Sequence, residues 1–302
     1  MSESVHRSGL VSLMGRPNSG KSTLLNALLG EKVAIVSGKP QTTRTIVQGA
    51  LTLPDAQIVF LDTPGIHKSE SLLDKRMISS VREAAEGRDL LLFLSDGTQP
   101  VTSEDAKVLD LVKKPGSPIL LVLTKIDKLR DKSQLLHRIK QYQALYEFAA
   151  YIPISAVAND GLDVLLREII ERLPEGPELF PPDYLTDQPE RFLAAEIIRE
   201  KILLETRQEV PHSVAVLVDR WEDAGKILKI AATIYVERPG QKGIIIGSRG
   251  TMLKTIGTAA RQEIEALVSR KIFLQLVVKE KPGWREDPAF LNELDWRSTA
   301  GF

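Results

Sequence analysis

The stretch Gly15-Arg16-Pro17-Asn18-Ser19-Gly20-Lys21-Ser22 decides the fold of the first half of this chain. It reads G-x-x-x-x-G-K-S, the loop whose backbone N–H groups surround a phosphate. An apolar run at Leu10–Met14 precedes it and helix-forming residues follow at Thr23–Leu29. In such a strand–loop–helix Lys21 reaches the β- and γ-phosphates, and the Ser22 hydroxyl can bind Mg²⁺. The stretch predicts a nucleoside triphosphate site, with a chance glycine-rich turn as the alternative.

The composition bounds the remaining choices. A chain of 302 residues is long for one core, so we expect two domains. The formal net charge is zero, and a polyanionic partner must therefore meet a local patch. The chain has no cysteine, which excludes disulfides and cysteine metal sites. No apolar run reaches the roughly 20 residues that span a bilayer, and Met1–Ser8 does not resemble a signal peptide, so we expect a cytoplasmic protein.

Strand and helix patterns alternate from Ser8 to about Leu173. The strand candidates are Leu10–Met14, Ile46–Leu53, Gln57–Leu61, Leu90–Leu94, Ile119–Leu123 and Tyr151–Ile154. The last four are short and almost continuously apolar, as strands covered on both faces of a parallel sheet should be. Helices are predicted at Ser103–Val112 and Gly161–Leu173. The pattern predicts a doubly wound α/β domain that binds its ligand at the carboxyl ends of the strands.

Polar clusters follow three of these strands. Asp62-Thr63-Pro64-Gly65 offers a carboxylate for Mg²⁺ or its water and a glycine N–H for a γ-phosphate. Thr124-Lys125-Ile126-Asp127 offers a carboxylate that can accept two hydrogen bonds from one edge of guanine, which adenine cannot donate. Ser155-Ala156 could present an N–H to the base carbonyl. Taken singly, each cluster is also compatible with an ordinary turn.

The segment Val36–Thr45 lacks apolar periodicity and is predicted to be mobile. A threonine of Gln41-Thr42-Thr43-Arg44 could complete the Mg²⁺ shell only when a γ-phosphate is present, which would make the segment nucleotide-sensitive. The alternative is a plain solvated loop.

In this order the motifs resemble those of the translation-factor class of GTPases, and especially its Era-like branch. The resemblance implies a P-loop GTPase domain that binds GTP or GDP with Mg²⁺. It assigns the metal to Ser22, Thr43 (on position alone, rather than Thr42) and Asp62, and catalysis to Lys21, Thr43 and Gly65. The residues it places around the nucleotide are Gly15, Arg16, Pro17, Asn18, Ser19, Gly20, Lys21, Ser22, Thr23, Asp62, Thr63, Pro64, Gly65, Ile66, Thr124, Lys125, Ile126, Asp127, Ser155 and Ala156.

Two residues depart from the family pattern. Thr124 stands where the base-reading motif usually has Asn, and a hydroxyl cannot reproduce the two-ended hydrogen bonding of an amide. Ile66 stands where many small GTPases have a water-orienting Gln, so intrinsic hydrolysis should be slow. By resemblance, Asn18 would help bind a K⁺ ion that stabilises transition-state charge. His67 is a weaker candidate for a general base.

A proline-rich segment separates the two halves. Residues 174–189 contain five prolines, which exclude a helix or a central strand and indicate a semi-rigid linker. We therefore expect domains at 1–173 and 190–285, followed by a tail at 286–302.

The second half reads as helix, two strands, two helices and a strand. The helix begins near Glu190, the first two strands are expected at Ser213–Asp219 and Lys226–Glu237, and residues 221–225 join them. Gly247-Ser248-Arg249-Gly250 lies between the two later helices, where glycines let a backbone approach a phosphate chain. This order resembles a KH domain of the bacterial type (type II), a smaller α+β fold whose G-x-x-G loop clamps about four nucleotides. A plain helix–helix turn is the alternative.

Local charge favours a nucleic-acid partner for the second half. Between Arg238 and Arg285 the chain has ten basic and three acidic residues. The candidates for RNA contact are Lys242, Gly247, Ser248, Arg249, Gly250 and Lys254. Trp284 could stack on a base, but packing is the favoured role.

The Era-like resemblance covers most of the chain. It implies binding to the single-stranded 3′ end of small-subunit ribosomal RNA during ribosome assembly, by a cytoplasmic monomer that could also associate with the inner face of the membrane. We expect GTP to order residues 36–45 and favour a domain arrangement that exposes the clamp. Two alternatives remain: a signalling or trafficking GTPase whose second domain binds protein or membrane, and an ATP-using P-loop enzyme, against which Asp127 argues.

Overall fold

The computed structural model describes residues 6–65, 71–113, 117–206, 210 and 213–300, without the side chains of 299 and 300. The chain forms two compact units. The first takes the described parts of 1–34, 43–68 and 76–187, and the second those of 35–42, 69–75 and 188–302. Two short segments from the first half of the chain therefore fold with the second unit. Among the described residues no helix is both long and apolar enough to cross a membrane.

The described part of the first unit is built on one six-stranded sheet. Its strands are β1 (Arg7–Gly15), β2 (Val47–Thr52), β3 (Ala56–Asp62), β4 (Leu90–Asp96), β5 (Ile119–Thr124) and β6 (Ala150–Pro153). Their order is β2-β3-β1-β4-β5-β6, with β2 antiparallel to β3 and every other pair parallel. The predicted strands and the doubly wound sheet are thereby confirmed, with one antiparallel strand at the edge.

Helices cover both faces of this sheet. They are α1 (Lys21–Leu29), α2 (Leu72–Ala85), α3 (Ser103–Val112), α4 (Ser133–Gln143) and α5 (Leu162–Ile170). Alternate residues of each central strand enter two separate apolar clusters, one on either face; Leu92 and Phe93 of β4, for example, belong to different clusters. Burial on both faces explains why these strands are apolar throughout. The polar residues that follow β1, β3, β5 and β6 lie at the carboxyl edge.

The proline-rich segment is irregular, and as far as Asp187 it belongs to the first unit. The buried Gln57 of β3 holds it, since its Oε1 accepts hydrogen bonds from the N–H groups of Leu179 and Phe180 at 2.6 and 2.9 Å. The Ser8 N–H donates to the Pro174 carbonyl at 3.1 Å. These contacts fix the segment to the edge of the domain that it leaves.

The second unit has the predicted order α-β-β-α-α-β. Its elements are α6 (Glu190–Glu205), β7 (Ala215–Ala224), β8 (Ile227–Val236), α7 (Pro239–Ile246), α8 (Thr251–Leu267) and β9 (Ile272–Glu280). The sheet order is β7-β8-β9, antiparallel and then parallel. One apolar cluster packs the sheet against α6 and α8.

Two expectations about this unit need correction or completion. Residues 221–224 were expected in a loop, but they continue β7 and pair with β8 beyond a bulge between Val218 and Arg220. The tail contains two helices, α9 (Pro288–Leu294) and α10 (Trp296–Ala300). Trp284 is fully buried and its Nε1–H donates to the Ser213 carbonyl at 3.0 Å, so the expected packing role is confirmed.

Candidate nucleotide site and nucleic-acid clamp

The phosphate loop favours glycine at both of its ends, for a steric reason at Gly15 and for a conformational reason at Gly20. A Cβ on Gly15 would lie 2.4 Å from the Leu94 carbonyl oxygen, and Gly20 has a φ of 93°. Asn18 also lies in the left-handed region, with a φ of 62°. Because α1 begins at Lys21, its unpaired N–H groups point into the loop. The local geometry is that of an anion site at a helix N-terminus.

Lys21 is buried at the centre of the loop. Its ammonium donates to the carbonyls of Gly15 and Arg16 at 3.2 and 3.1 Å. Burial lowers the pKa of Lys21 to about 8, although the nearby Asp62 carboxylate acts in the opposite direction. At neutral pH the group keeps its proton and concentrates positive charge where a triphosphate would need it.

Three oxygen-bearing side chains converge beside Lys21. The Ser22 and Thr43 hydroxyls lie 2.8 Å apart, and Ser22 donates to Asp62 Oδ2 at 2.5 Å. Asp62 is fully buried, and its Oδ1 has no hydrogen-bond partner among the described residues. Burial raises the pKa of Asp62 to about 6, against the opposing effect of Lys21. A buried carboxylate with an uncompensated oxygen, beside two hydroxyls, is a donor set that suits Mg²⁺.

The two neighbouring threonines have different surroundings. The Thr42 hydroxyl lies 2.6 Å from that of Ser37 and donates to the Lys39 carbonyl at 2.7 Å. Thr43, by contrast, lies with Ser22 and at 3.4 Å from Asp62 Oδ2. Of this pair, Thr43 is therefore the residue whose hydroxyl contacts Ser22.

Gly65 lies directly against the phosphate loop. A Cβ there would come within 2.7 Å of the Pro17 Cα, so only glycine fits. The Thr63 hydroxyl donates to the Leu13 carbonyl at 2.7 Å and joins β3 to β1, rather than pointing to the loop. Ile66 and His67 lie outside the described residues.

The residues predicted to read the base form a second group at the ends of β5 and β6. Asp127 Oδ1 accepts a hydrogen bond from the Ser155 hydroxyl at 2.6 Å, which orients the carboxylate. The Lys125 ammonium, on a residue with a φ of 61°, donates to the Asn18 carbonyl at 2.7 Å. The site therefore connects directly to the phosphate loop.

Thr124 makes a similar connection. Its buried hydroxyl lies 2.8 Å from the Ser19 carbonyl and 3.2 Å from that of Ser95. Although threonine lacks an amide, it can donate to the phosphate loop. Five other residues that were predicted to surround the nucleotide lie in the same loops or at the adjoining helix ends: Pro17, Thr23, Pro64, Ile126 and Ala156.

Two charged contacts of this site were not anticipated from the sequence. Asp96, the last residue of β4, pairs with the Lys125 ammonium at 2.7 Å. Burial would raise the pKa of Asp96, but hydrogen bonds from Lys125 and Thr98 hold it below its usual value. Arg16 pairs with Glu104 and Asp105 in the first turn of α3 at 2.8 and 3.2 Å. Asp96 could have been anticipated from the sequence, because it comes shortly after the predicted strand Leu90–Leu94, at the carboxyl edge of the sheet.

The segment that leads to Thr43 is anchored by charged residues of α6. The buried Arg199 guanidinium donates to the carbonyls of Gln41, at 3.3 Å, and Thr42. Glu200, also buried, accepts a hydrogen bond from the Val36 N–H at 2.8 Å. These contacts explain why residues 35–42 belong to the second unit.

The G-x-x-G loop contains three backbone positions with positive φ. Gly247, Arg249 and Gly250 have φ values of 71°, 51° and 79°, and α8 begins immediately afterwards. Arg249 is exposed at the tip. A cleft of about 400 Å³ adjoins the loop. Its lining residues are Gly250, Leu253, Lys254, Gly257, Thr258, Arg261, Leu274 and Leu276.

Ion pairs reduce the positive charge available to a ligand. Of the ten basic residues between 238 and 285, six pair with carboxylates: Lys242, Arg261, Arg270, Lys271, Lys281 and Arg285. Among the described residues the other four, Arg238, Arg249, Lys254 and Lys279, have no ion pair. Two of these four lie at the loop and cleft, while Lys242 pairs with Glu280 at 3.9 Å.

Comparison with known proteins gives a consistent result for both units. Residues 10–125 match the family described as 50S ribosome-binding GTPase, and residues 209–285 match the KH domain family. GTPase Era of Geobacter metallireducens is 50% identical over 298 residues, covering 98% of this chain and all of that protein. GTPase Era of Ruminiclostridium cellulolyticum is 47% identical over 294 residues, covering 97% and 98%.

Two solved structures are similar over nearly the whole chain. A variant of Aquifex aeolicus Era bound to GDP·AlF₄⁻ has a TM-score of 0.93 and 40% identity, covering 96% of this chain and 99% of that one. A structure of Era in complex with MgGDPNP and nucleotides 1506–1542 of 16S ribosomal RNA gives the same values. These relatives, which match over nearly the full length of both chains, show that this protein is a GTPase that belongs to the GTPase Era family.

Proposed function

We propose that the protein is a GTP-dependent switch that binds single-stranded RNA through its G-x-x-G loop, and that its target is the 3′ end of small-subunit ribosomal RNA during assembly of the small subunit. The observation that carries the RNA-binding part is Arg249, which is exposed just before α8 and has no ion pair with any residue that the structure describes. Backbone N–H groups and a free guanidinium are suited to phosphate oxygens. The RNA bound by the related Era structure supports the choice of target.

The test is to replace Arg249 and Gly250 together by Asp. We expect the affinity for an RNA of nucleotides 1506–1542 of 16S ribosomal RNA to fall at least about 100-fold, because two new carboxylates face phosphates. GTP hydrolysis should stay unchanged, and Lys140→Asp on α4 is the matched charge control. Intact RNA binding in the double variant would contradict the proposal and favour a second domain that binds protein or membrane.

For the nucleotide site, we propose that Ser22 and Thr43 bind Mg²⁺ directly and that Asp62 supports it. A bound Mg²⁺ would neutralise β- and γ-phosphate charge. Within the chain, Lys21 supplies a buried positive charge at the phosphates, and Gly65 leaves room for its N–H to approach the γ-phosphate. Asp127, oriented by Ser155, selects guanine. Labelled GDP should therefore be displaced by GTP and not by ATP, whereas displacement by ATP would overturn the guanine assignment.

Nucleotide state should control RNA binding. Residues 36–42 are held by Arg199 and Glu200, and the hydroxyl of the next residue, Thr43, lies 2.8 Å from that of Ser22. GTP would order this segment through Thr43, and hydrolysis would release it and weaken RNA binding. Equal RNA affinity with GDP and with a non-hydrolysable GTP analogue would contradict this coupling.

We also propose that K⁺ accelerates hydrolysis at Asn18, since Ile66 cannot orient water. Asn18 is held by its carbonyl bond to Lys125 and by a left-handed backbone. Turnover should be faster in KCl than in NaCl, and Asn18→Ala should abolish the difference. Equal turnover in the two salts would remove this part of the mechanism.

The protein should act as a cytoplasmic monomer. Size-exclusion chromatography with light scattering should give a mass near 33.5 kDa. Cell fractionation would separate a cytoplasmic pool from one associated with the inner face of the membrane.

A further inference from the structure

The sheet of the second unit has one face that α6 and α8 do not cover. On the covered face, alternate residues such as Leu228, Ile230 and Ile272 are buried in the apolar cluster. The intervening residues of β8 and β9 point the other way, as the strand period requires. We define the outer sheet face by Ile227, Lys229, Phe273, Gln275, Val277 and Lys279, all of which are exposed.

An exposed aromatic ring lies on this face, near the start of the edge strand β9. Phe273 is 58% exposed, and Val277 and Ile227 are 42% and 44% exposed. Phe273 pairs across the strands with Lys229, so the ring and the ammonium group are neighbours on one surface. Three exposed apolar side chains on one face of a small sheet favour a contact surface more than a single exposed ring would.

The charge of the outer sheet face is positive. Within the described part of the chain, Lys229 and Lys279 have no ion-pair partner. On this side of the sheet Glu222 is opposite Lys229 in the register and pairs with Arg220 at 3.7 Å, and the Asp219 carboxylate accepts a hydrogen bond from the Thr233 hydroxyl at 2.7 Å. Protein interfaces are depleted in lysine, whereas single-stranded nucleic acids use rings for their bases and cations for their phosphates. The chemistry therefore favours a nucleic acid over a protein as the occupant.

The outer sheet face is also continuous with the clamp. Strand β9 lies at the edge of the sheet. Its inward residues Leu274 and Leu276 line the cleft beside the G-x-x-G loop, while Phe273, Gln275 and Val277 alternate with them on the other face. A nucleic-acid strand that leaves the cleft over β9 reaches the ring without crossing another strand.

We propose that the outer sheet face is a second single-stranded RNA surface, on which nucleotides flanking those held by the clamp stack against Phe273 and meet Lys229 and Lys279 through their phosphates. The proposal rests on the RNA-binding function proposed above, and it extends the contact from the cleft to the opposite face of the same sheet.

The test compares RNA lengths. The probes are the RNA of nucleotides 1506–1542 of 16S ribosomal RNA and a series shortened from either end to the shortest RNA that the clamp still binds. Phe273→Ala should weaken binding of the long RNA about tenfold, which is the loss expected for one stacked base. It should leave the shortest RNA and the rate of GTP hydrolysis unchanged. Leu204→Ala, which removes an exposed leucine from α6, is the matched control.

The contribution of Lys229 and Lys279 is tested separately, through the salt dependence of RNA affinity. Replacing Lys229 and Lys279 by Gln should reduce the slope of log affinity against log salt by about 1.4 for the long RNA, that is, about 0.7 for each lost phosphate contact with a single strand. The slope for the shortest RNA should not change, and Lys140→Gln on α4 should change neither slope.

The outcomes separate this inference from the function on which it rests. If Arg249→Asp with Gly250→Asp leaves RNA binding intact, the clamp itself is refuted. If the clamp variant loses RNA binding but Phe273→Ala leaves the affinity for every RNA length unchanged, only the second surface is refuted. A protein partner would then be the better candidate for the outer sheet face. An equal loss for long and short RNA also overturns the proposal, because the ring would then act through the clamp.

Discussion

The phosphate site and the G-x-x-G clamp each place an anion-binding loop at the start of a helix, but the phosphate site is buried and the clamp is exposed. In the phosphate site Lys21 and Asp62 are almost inaccessible to solvent, and the charge of each opposes the effect of burial on the pKa of the other. The clamp keeps its charge exposed at Arg249 and relies on three left-handed backbone positions. Burial makes residue identity strict, because an unpartnered buried charge is costly. An exposed loop requires only glycines and one cation, so its sequence motif is short and less specific.

The largest effect should come from Lys21→Ala. We expect GTP hydrolysis to fall by about 100-fold or more, because the buried ammonium is the main local charge at the phosphates. RNA binding measured without nucleotide should be unaffected, with Lys140→Ala as the control. A parallel loss of nucleotide-free RNA binding would show that the buried site and the clamp are not separable.

The clamp glycines should differ from one another. A Cβ on Gly247 would lie 2.6 Å from the Met252 Cβ at φ 71° and ψ 176°, whereas Gly250 has open space. We expect Gly247→Ala to lower the free energy of unfolding by about 3 kcal/mol and Gly250→Ala by about 1 kcal/mol, since only the first adds a clash to backbone strain. Urea unfolding measures both, and equal losses would contradict the steric argument.

Thr124→Val tests the connection between base and phosphate sites. The buried carbonyls of Ser19 and Ser95 lose their shared donor, and we expect about tenfold weaker GDP binding by calorimetry. Thr124→Ser keeps the hydroxyl and should remain within about twofold of the parent protein. If the serine variant were as weak as the valine variant, packing rather than the hydrogen bond would be responsible.

Asp96→Asn should have the smallest effect. The carboxylate and the Lys125 ammonium are both partly exposed, so the pair is worth under about 1 kcal/mol, and GDP affinity should fall about threefold. Lys125 keeps its bond to the Asn18 carbonyl in this variant. A loss as large as that of Thr124→Val would place Asp96 among the principal determinants of the site.

The same contrast between buried and exposed residues explains which parts of the fold and of the site could be predicted from the sequence. The sheet was predictable because strands buried on both faces are apolar throughout, and the phosphate loop because buried chemistry restricts its residues. The extension of β7 was not, since Glu222 and Asp223 have low strand propensity and only pairing with β8 beyond the bulge makes them a strand. Arg199 and Glu200 were missed because their partners lie more than 150 positions away in the chain.

The hold of α6 on residues 36–42 has a practical consequence. A protein cut after Asp187 would retain every side chain assigned here to the nucleotide, yet it would lose the guanidinium and carboxylate that support the approach to Thr43. We expect this truncated protein to keep its guanine affinity and to respond less to the γ-phosphate. We therefore expect the difference between the two nucleotide states to be measurable in full only with the intact chain.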